Sequence, residues 1–163
     1  MRRKSFADMS CSVAASLEEV GDWWTLLIVR DALLGLRRFE EFQGSLGIAR
    51  NILSSRLESL VSSGILERRA YQERPPRREY RLTEKGRDLL PVVVTLMRWG
   101  DRWLWPPGRQ PFHLVHQDCG HETRARLACQ VCGGELTLSN TRRKPAQGLD
   151  LNRLNAVQIR LAR

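Results

Sequence analysis

Apolar residues recur along this chain in short helical runs separated by glycines. Val13, Leu17 and Val20 fall at i, i+4 and i+7 behind Ser10-Cys11-Ser12, and Gly21 closes that run. Asp22 can cap a second and more apolar run, Trp23 to Leu34, which Gly35 ends. Arg37 to Phe42 reads as a short amphipathic helix, and Gly44 and Gly47-Ile48 then turn the chain. The next helix, Ala49 to Ser63, places Leu53, Leu57 and Leu60 on one face, and Gly64 stops it. Here the period changes. An apolar pair, Ile65-Leu66, leads into an arginine-rich excursion that returns through Tyr80-Arg81-Leu82 as a hairpin. Thr83 caps a last helix predicted to reach about Leu104, with Pro91 bending or restarting it.

Helix, turn, helix and basic hairpin, in that order, predict a winged helix-turn-helix. The expected fold class is mainly α with a small β-wing, plus a small C-terminal Cys/His β-hairpin or zinc ribbon. Pro106-Pro107-Gly108 marks a boundary. The expected organisation is a DNA-binding and dimerisation domain at 1–105, a ribbon-like segment at 109–140 and a basic tail at 141–163. Lys and Arg number 27 against 18 Asp and Glu, a formal charge of +9, which points to a polyanionic partner. The most apolar run is interrupted by Arg30-Asp31, so it predicts a buried helix rather than a bilayer span. With no secretory signal either, the expected location is the cytoplasm, where cysteines are free, metal-bound or redox-active.

With Leu53, Leu57 and Leu60 turned inward, the outer face of that helix carries Asn51, Ser55, Glu58 and Ser62, with Ser54 at its edge. Asn51 suits a bidentate contact to an adenine edge, and Arg50 a phosphate or a guanine. Ser54 and Ser55 suit phosphate or water-bridged contacts. Arg56 lies near the apolar face, where it either braces neighbouring elements or reaches DNA. The wing is rich in arginine. Arg74, Arg77 and Arg78 at its tip, stiffened by Pro75-Pro76, suit the DNA backbone or the minor groove. Arg38, at the head of the first helix of the pair, completes the expected contact set.

The chain also resembles a known family. Cys11-Ser12-Val13-Ala14 followed by Gly21-Asp22-Trp23-Trp24-Thr25-Leu26-Leu27-Ile28 is similar to the opening of HxlR-type transcriptional regulators. Gly35 with Arg38-Phe39, Leu53-Ser54-x-Arg56-Leu57-x-x-Leu60, Gly64-Ile65-Leu66-x-Arg68, and Pro75 to Thr83 with Gly86 continue the likeness over residues 11 to 104. The resemblance implies a dimeric winged-helix DNA-binding protein whose first and last helices form the dimer interface. Ser12 and Trp23 depart from the family pattern, which often has Pro and a basic residue there.

Independently of that likeness, Val92, Leu96, Trp99 and Trp103 make a continuous stripe at i, i+4, i+7 and i+11, alongside the Val13, Leu17, Val20 stripe. A chain of this size cannot easily bury both, so a two-fold homodimer on a two-fold operator is expected. Cys11 falls at a helix N-terminus, where amide dipoles and the nearby Arg2, Arg3 and Lys4 favour a thiolate. Some members of the resembling family sense oxidants or electrophiles at this position, so an electrophile or another small molecule is an expected inducer. The unreactive reading of Cys11 is a small helix-start residue.

His116-x-x-Cys119-Gly120 and Cys129-x-x-Cys132-Gly133 are matching halves of a zinc knuckle pair, with His113 and His121 as rivals to His116. Zn²⁺ held by His116, Cys119, Cys129 and Cys132 would leave no open position and so would be structural. Without metal, the segment would be a small hairpin with free thiols. Short strands are expected around Leu114-Val115 and Leu136 to Leu138. An enzyme is not expected: His numbers only three, and no paired carboxylates, nucleophile–base set or Gly-rich phosphate loop is present. The expected function is a sequence-specific, repressing transcriptional regulator. The alternative is a zinc-ribbon and winged-helix module for protein contacts, which would have no use for the arginine-rich wing.

Overall fold

The computed structural model describes residues 5–6, 9–74, 76–142, 144 and 146–147. Pro75 at the wing tip, the basic N-terminal residues 1–4 and most of the expected tail lie outside the described residues. Helix α1 (Ser12–Val20) starts behind Cys11, and α2 (Trp23–Leu33) starts behind Asp22, whose carboxylate accepts from the Trp24 amide at 3.1 Å. Helices α3 (Phe39–Leu46) and α4 (Arg50–Ser62) follow, joined at Gly47, whose φ of 60° is the left-handed turn that glycine permits. Glu41 seals the head of α3 by accepting from the Arg37 and Arg38 amides, each at 2.8 Å. Those two amide bonds hold its carboxyl below the ordinary carboxylate range.

Strands β1 (Leu66–Gln72) and β2 (Arg77–Leu82) form the antiparallel wing, in register from Leu66 opposite Leu82 to Ala70 opposite Arg78. The register slips between Ala70 and Gln72, a bulge next to the tip that re-aims Tyr71. The expected single long C-terminal helix is two helices, α5 (Glu84–Arg87) and α6 (Leu90–Trp103). Pro91 lies in the first turn of α6, where its missing N–H is harmless, so it restarts the helix rather than bending it. Beyond Pro106, β3 (Leu114–His116) and β4 (His121–Thr123) make a second hairpin.

The core gathers Ile28, Val29, Phe42, Ile48, Leu53, Leu57, Leu60, Ile65 and Leu66, drawn from α2, α3, the α3–α4 turn, α4 and the root of the wing. The three leucines of α4 are buried on the face the periodicity assigns them. Val20 belongs to this core as well, so only Val13 and Leu17 of the α1 stripe reach the surface. Gly86 fixes how α5 meets the wing. A Cβ there would collide with the Ile65 carbonyl and stand 2.8 Å from Leu82 Cδ2. Thr83 locks the same corner: its hydroxyl donates to the Gly64 carbonyl at 2.6 Å and accepts from the Gly86 amide at 3.2 Å.

Candidate DNA-binding surface

The inward leucines of α4 leave its opposite face in solvent. Asn51, Ser54 and Ser55 are all exposed, as are Arg50 and Ala49 at its N-terminal end. Ala49 is the N-cap and has no side-chain acceptor, so the first-turn amides of α4 face outward uncapped and favour an anion such as phosphate. Glu58, one turn further along, takes the Arg68 guanidinium at 3.1 Å and so ties α4 to β1. That bond raises the Arg68 pKa above the ordinary guanidinium value. Arg56 braces neighbouring elements: its guanidinium pairs with Asp22 at 2.9 Å across the α2–α4 contact. Its Nε is buried without a hydrogen-bond partner among the described residues.

The wing sorts its arginines in the same way. Arg69 pairs with Glu67 at 2.7 Å, Arg81 with Glu79 at 2.6 Å, and Arg68 lies over the Tyr80 ring as well as on Glu58. Arg74, Arg77 and Arg78 are exposed and take no ion pair among the described residues. The tip therefore keeps its positive charge for an outside partner, while the base spends its charge on internal pairs. Tyr80 roots the wing: its amide donates to the Arg37 carbonyl at 2.7 Å, and its ring meets Phe42 edge-on at 6.5 Å.

Arg38 and Arg50 sit where aromatic rings hold them. Arg38 lies 4.9 Å over the Tyr71 ring and Arg50 4.8 Å over the Phe39 ring. Stacking fixes each guanidinium plane and leaves its N–H edge open to hydrogen bonding. Tyr71 and Phe39 are thus second components of the surface that the sequence reading did not single out. The only signal for Tyr71 was an aromatic residue in a strand otherwise carrying charge. The surface runs from the exposed face of α4, across the two stacked arginines, to the charged wing tip.

Cys11 is half-buried, in extended backbone at the N-cap of α1, and belongs to no disulfide. The C-terminal turns are alike. Gly120 N donates to the His116 carbonyl and Gly133 N to the Cys129 carbonyl, both at 2.8 Å, and both glycines hold φ near 70°. His116 Nδ1 stands 3.3 Å from Cys119 Sγ. The Cys132 and Val131 amides point at Cys129 Sγ and hold that thiol below its ordinary range. His113 is turned to Glu122 at 3.5 Å, and His121 faces His116 across the β3–β4 ladder. The strand expected at Leu136 to Leu138 is not formed. An isolated bridge between Ala128 and Glu135 takes its place, because Asn140 accepts from the Thr137 amide at 2.8 Å and curls the chain away. Among the described residues no three His, Cys, Asp or Glu side chains are gathered closely enough to hold a metal ion.

An exposed α4 beside a charged β-hairpin defines a winged helix-turn-helix DNA-binding regulator. Residues 19–107 match the HxlR-like helix-turn-helix family, and the chain belongs to it. It is 48% identical over 137 residues to the uncharacterised HTH-type transcriptional regulator Rv3095 of Mycobacterium tuberculosis, covering 84% of this chain and 87% of that one. The solved structure of PA1607, provisionally described as a transcription factor, superposes with a TM-score of 0.76 at 41% identity, over 85% of this chain and 96% of the other. The redox regulator HypR in its oxidised form superposes with a TM-score of 0.53 at 34% identity, over 56% of this chain and 96% of its own. The protein is a DNA-binding transcriptional regulator, a class without enzymatic activity. Among the described residues no helix is long and apolar enough to cross a membrane.

Proposed function

We propose that this regulator is a cytoplasmic homodimer that occupies a two-fold operator and represses the genes beside it. The observation that carries this reading is the apolar stripe of α6, a helix with no buried residue. Val92, Leu96, Trp99 and Trp103 are each about half exposed or more (45%, 53%, 54% and 62%), and Val13, Leu17 and Trp23 lie open on α1 and α2. Pairing α1 and α6 with those of a second copy covers both sets and sets the two α4 helices roughly 34 Å apart, one turn of DNA. In each half-site Asn51 reads a base edge, Arg50, Ser54 and Ser55 flank it, and Arg38, Arg74, Arg77 and Arg78 hold the backbone and minor groove. Sedimentation at tens of micromolar tests the pairing, with a dimer expected and a monomer fatal to it. A promoter reporter tests the sign, with derepression expected on deletion of the gene.

Two further assignments belong to the same reading. Cys11 is the sensor for oxidants or electrophiles, supported by its N-cap position and by the redox regulators among the structural relatives. Diamide should release DNA from the wild type and leave Cys11→Ser bound; equal release from both removes the assignment. Zn²⁺, held by His116, Cys119, Cys129 and Cys132, would tie the two C-terminal turns together. What supports this is the matched glycine turns, together with the exposure of nearly every side chain around them, a combination that small metal-stapled units share. Since the two pairs stand apart in this structure, metal would have to draw them together. About one zinc per chain, in protein purified without chelator, is the expected result; well under one removes the site.

A further inference from the structure

A cleft of about 780 Å³ opens between α6 and the C-terminal hairpin. Val94 and Met97 of α6 line one side, and Phe112 and Leu114 the other. Its polar lining is positive on balance. Arg98, Arg102 and Arg124 stand against Asp101 and Glu122, and His113 lies 3.5 Å from the Glu122 carboxylate. Two bonds pin the walls together: Arg98 Nη1 donates to the Ala125 carbonyl at 2.7 Å, and Gln110 Nε2 to the Asp101 carbonyl at 3.4 Å. The second wall lies beyond residue 107, where the family match ends. The cleft is therefore a feature of this longer chain and not of the shared winged unit.

The geometry of α6 gives the cleft its consequence. Val94, Met97, Arg98 and Asp101 follow i, i+3, i+4 and i+7, so they share one face. Val92, Leu96, Trp99 and Trp103 occupy the opposite face, roughly 180° away at about 100° per residue. A single rod thus carries the cleft on one side and the proposed dimer seam on the other, held to the core through the partly buried Val93.

We propose that this cleft is the effector site of the regulator and takes a small aromatic carboxylate. The ring lies against Met97 and Phe112, and the carboxylate meets the surplus guanidinium charge of Arg102 and Arg124. An occupant presses on α6 from behind the seam and changes the spacing of the two α4 helices. This second step rests on the homodimer proposed above; binding in the cleft does not.

The test is calorimetry on the full-length protein with benzoate, phenylacetate and 1-naphthoate, against 1-naphthylmethylamine as the cationic counterpart. At least one carboxylate should bind saturably, once per chain, and the amine should not. Met97→Trp, which fills the cleft, and Arg124→Glu, which reverses its charge, should each reduce that binding at least tenfold. Both variants should keep the sedimentation and ligand-free DNA affinity of the wild type. Saturating ligand should change wild-type DNA affinity by about 5-fold or more, the lower range of allosteric coupling. Failure of all three carboxylates to bind, preference for the amine, or binding indifferent to both substitutions overturns the site. Binding to a dimer without change in DNA affinity overturns the regulatory step alone. A protein that sediments as a monomer yet binds a carboxylate in the cleft overturns the dimer and leaves the site standing.

Discussion

The winged unit and the C-terminal hairpins use the same local devices to opposite ends. Both turn on glycines at positive φ, at Gly47 and Gly64 in the first and at Gly120 and Gly133 in the second. In the winged unit those turns fold apolar faces onto one another, and Phe42, Leu53, Leu57, Leu60, Ile65 and Leu66 disappear from solvent. Among the described residues beyond Pro106 none is buried, and Val131 and Leu138 stand 88% and 98% exposed. The lesson concerns what holds each region. The candidate DNA-binding surface rests on a packed core that holds α4. The C-terminal segment, one two-stranded hairpin and one isolated bridge, leans on α6 through Arg98 and Gln110, and so narrow a sheet is marginal without further support.

The sharpest way to break this comparison is to truncate one side chain in each region. Leu57→Ala should destabilise the protein by about 2–5 kcal/mol, the range for emptying a packed leucine site, as read by urea unfolding. Leu138→Ala should stay within about 0.5 kcal/mol, as exposed substitutions do. Comparable losses would show that the hairpins possess a core of their own. Gly86→Ala should approach the Leu57 result, because the new methyl group meets the Ile65 carbonyl, a backbone atom that cannot swing aside.

The winged unit was readable in the sequence because a buried face imposes a period. Leu53, Leu57 and Leu60 at i, i+4 and i+7 can share a core only from a helix, and the switch to Ile65-Leu66 marks where strand geometry begins. The exposure of Asn51 and Ser55 follows from the same arithmetic. Pairings between distant charges leave no such trace. Nothing in the local pattern distinguishes Arg68, which is committed to Glu58 and Tyr80, from Arg77, which is open at the tip. The stacking of Arg38 on Tyr71 depends on a bulge that the sequence does not announce. Beyond Pro106 there is little buried face to impose a period. There the turns could be located from Cys-x-x-Cys-Gly, while a strand was expected at Leu136 to Leu138 where Asn140 bends the chain away.

Smaller effects sharpen the division of labour on the DNA-binding surface. Asn51→Ala should lose about 1–3 kcal/mol of discrimination at one base pair in each half-site, read by binding to operators substituted at each position. Arg77→Ala should instead weaken binding to all sequences and lower the slope of log affinity against log salt by about 1. Equal scaling of every operator by Asn51→Ala would move base reading to another face. The smallest effect belongs to the cap of α3. Glu41→Gln should lower stability by about 1 kcal/mol at neutral pH. The folded-state pKa of Glu41 is depressed, so its contribution is complete above the ordinary carboxylate pKa and fades as pH falls through the lowered value. The difference between wild type and Glu41→Gln should therefore shrink in acid, and a difference that grows there would contradict the cap.

Methylation protection of guanine N7 on an operator bound by the purified protein tests the central claim most directly, because only an element lying in the major groove shields that atom. Two protected patches, about 10–10.5 base pairs between centres and related by a two-fold axis, are expected from a pair of α4 helices. A single unpaired patch, or a bound operator with every N7 open, would contradict it.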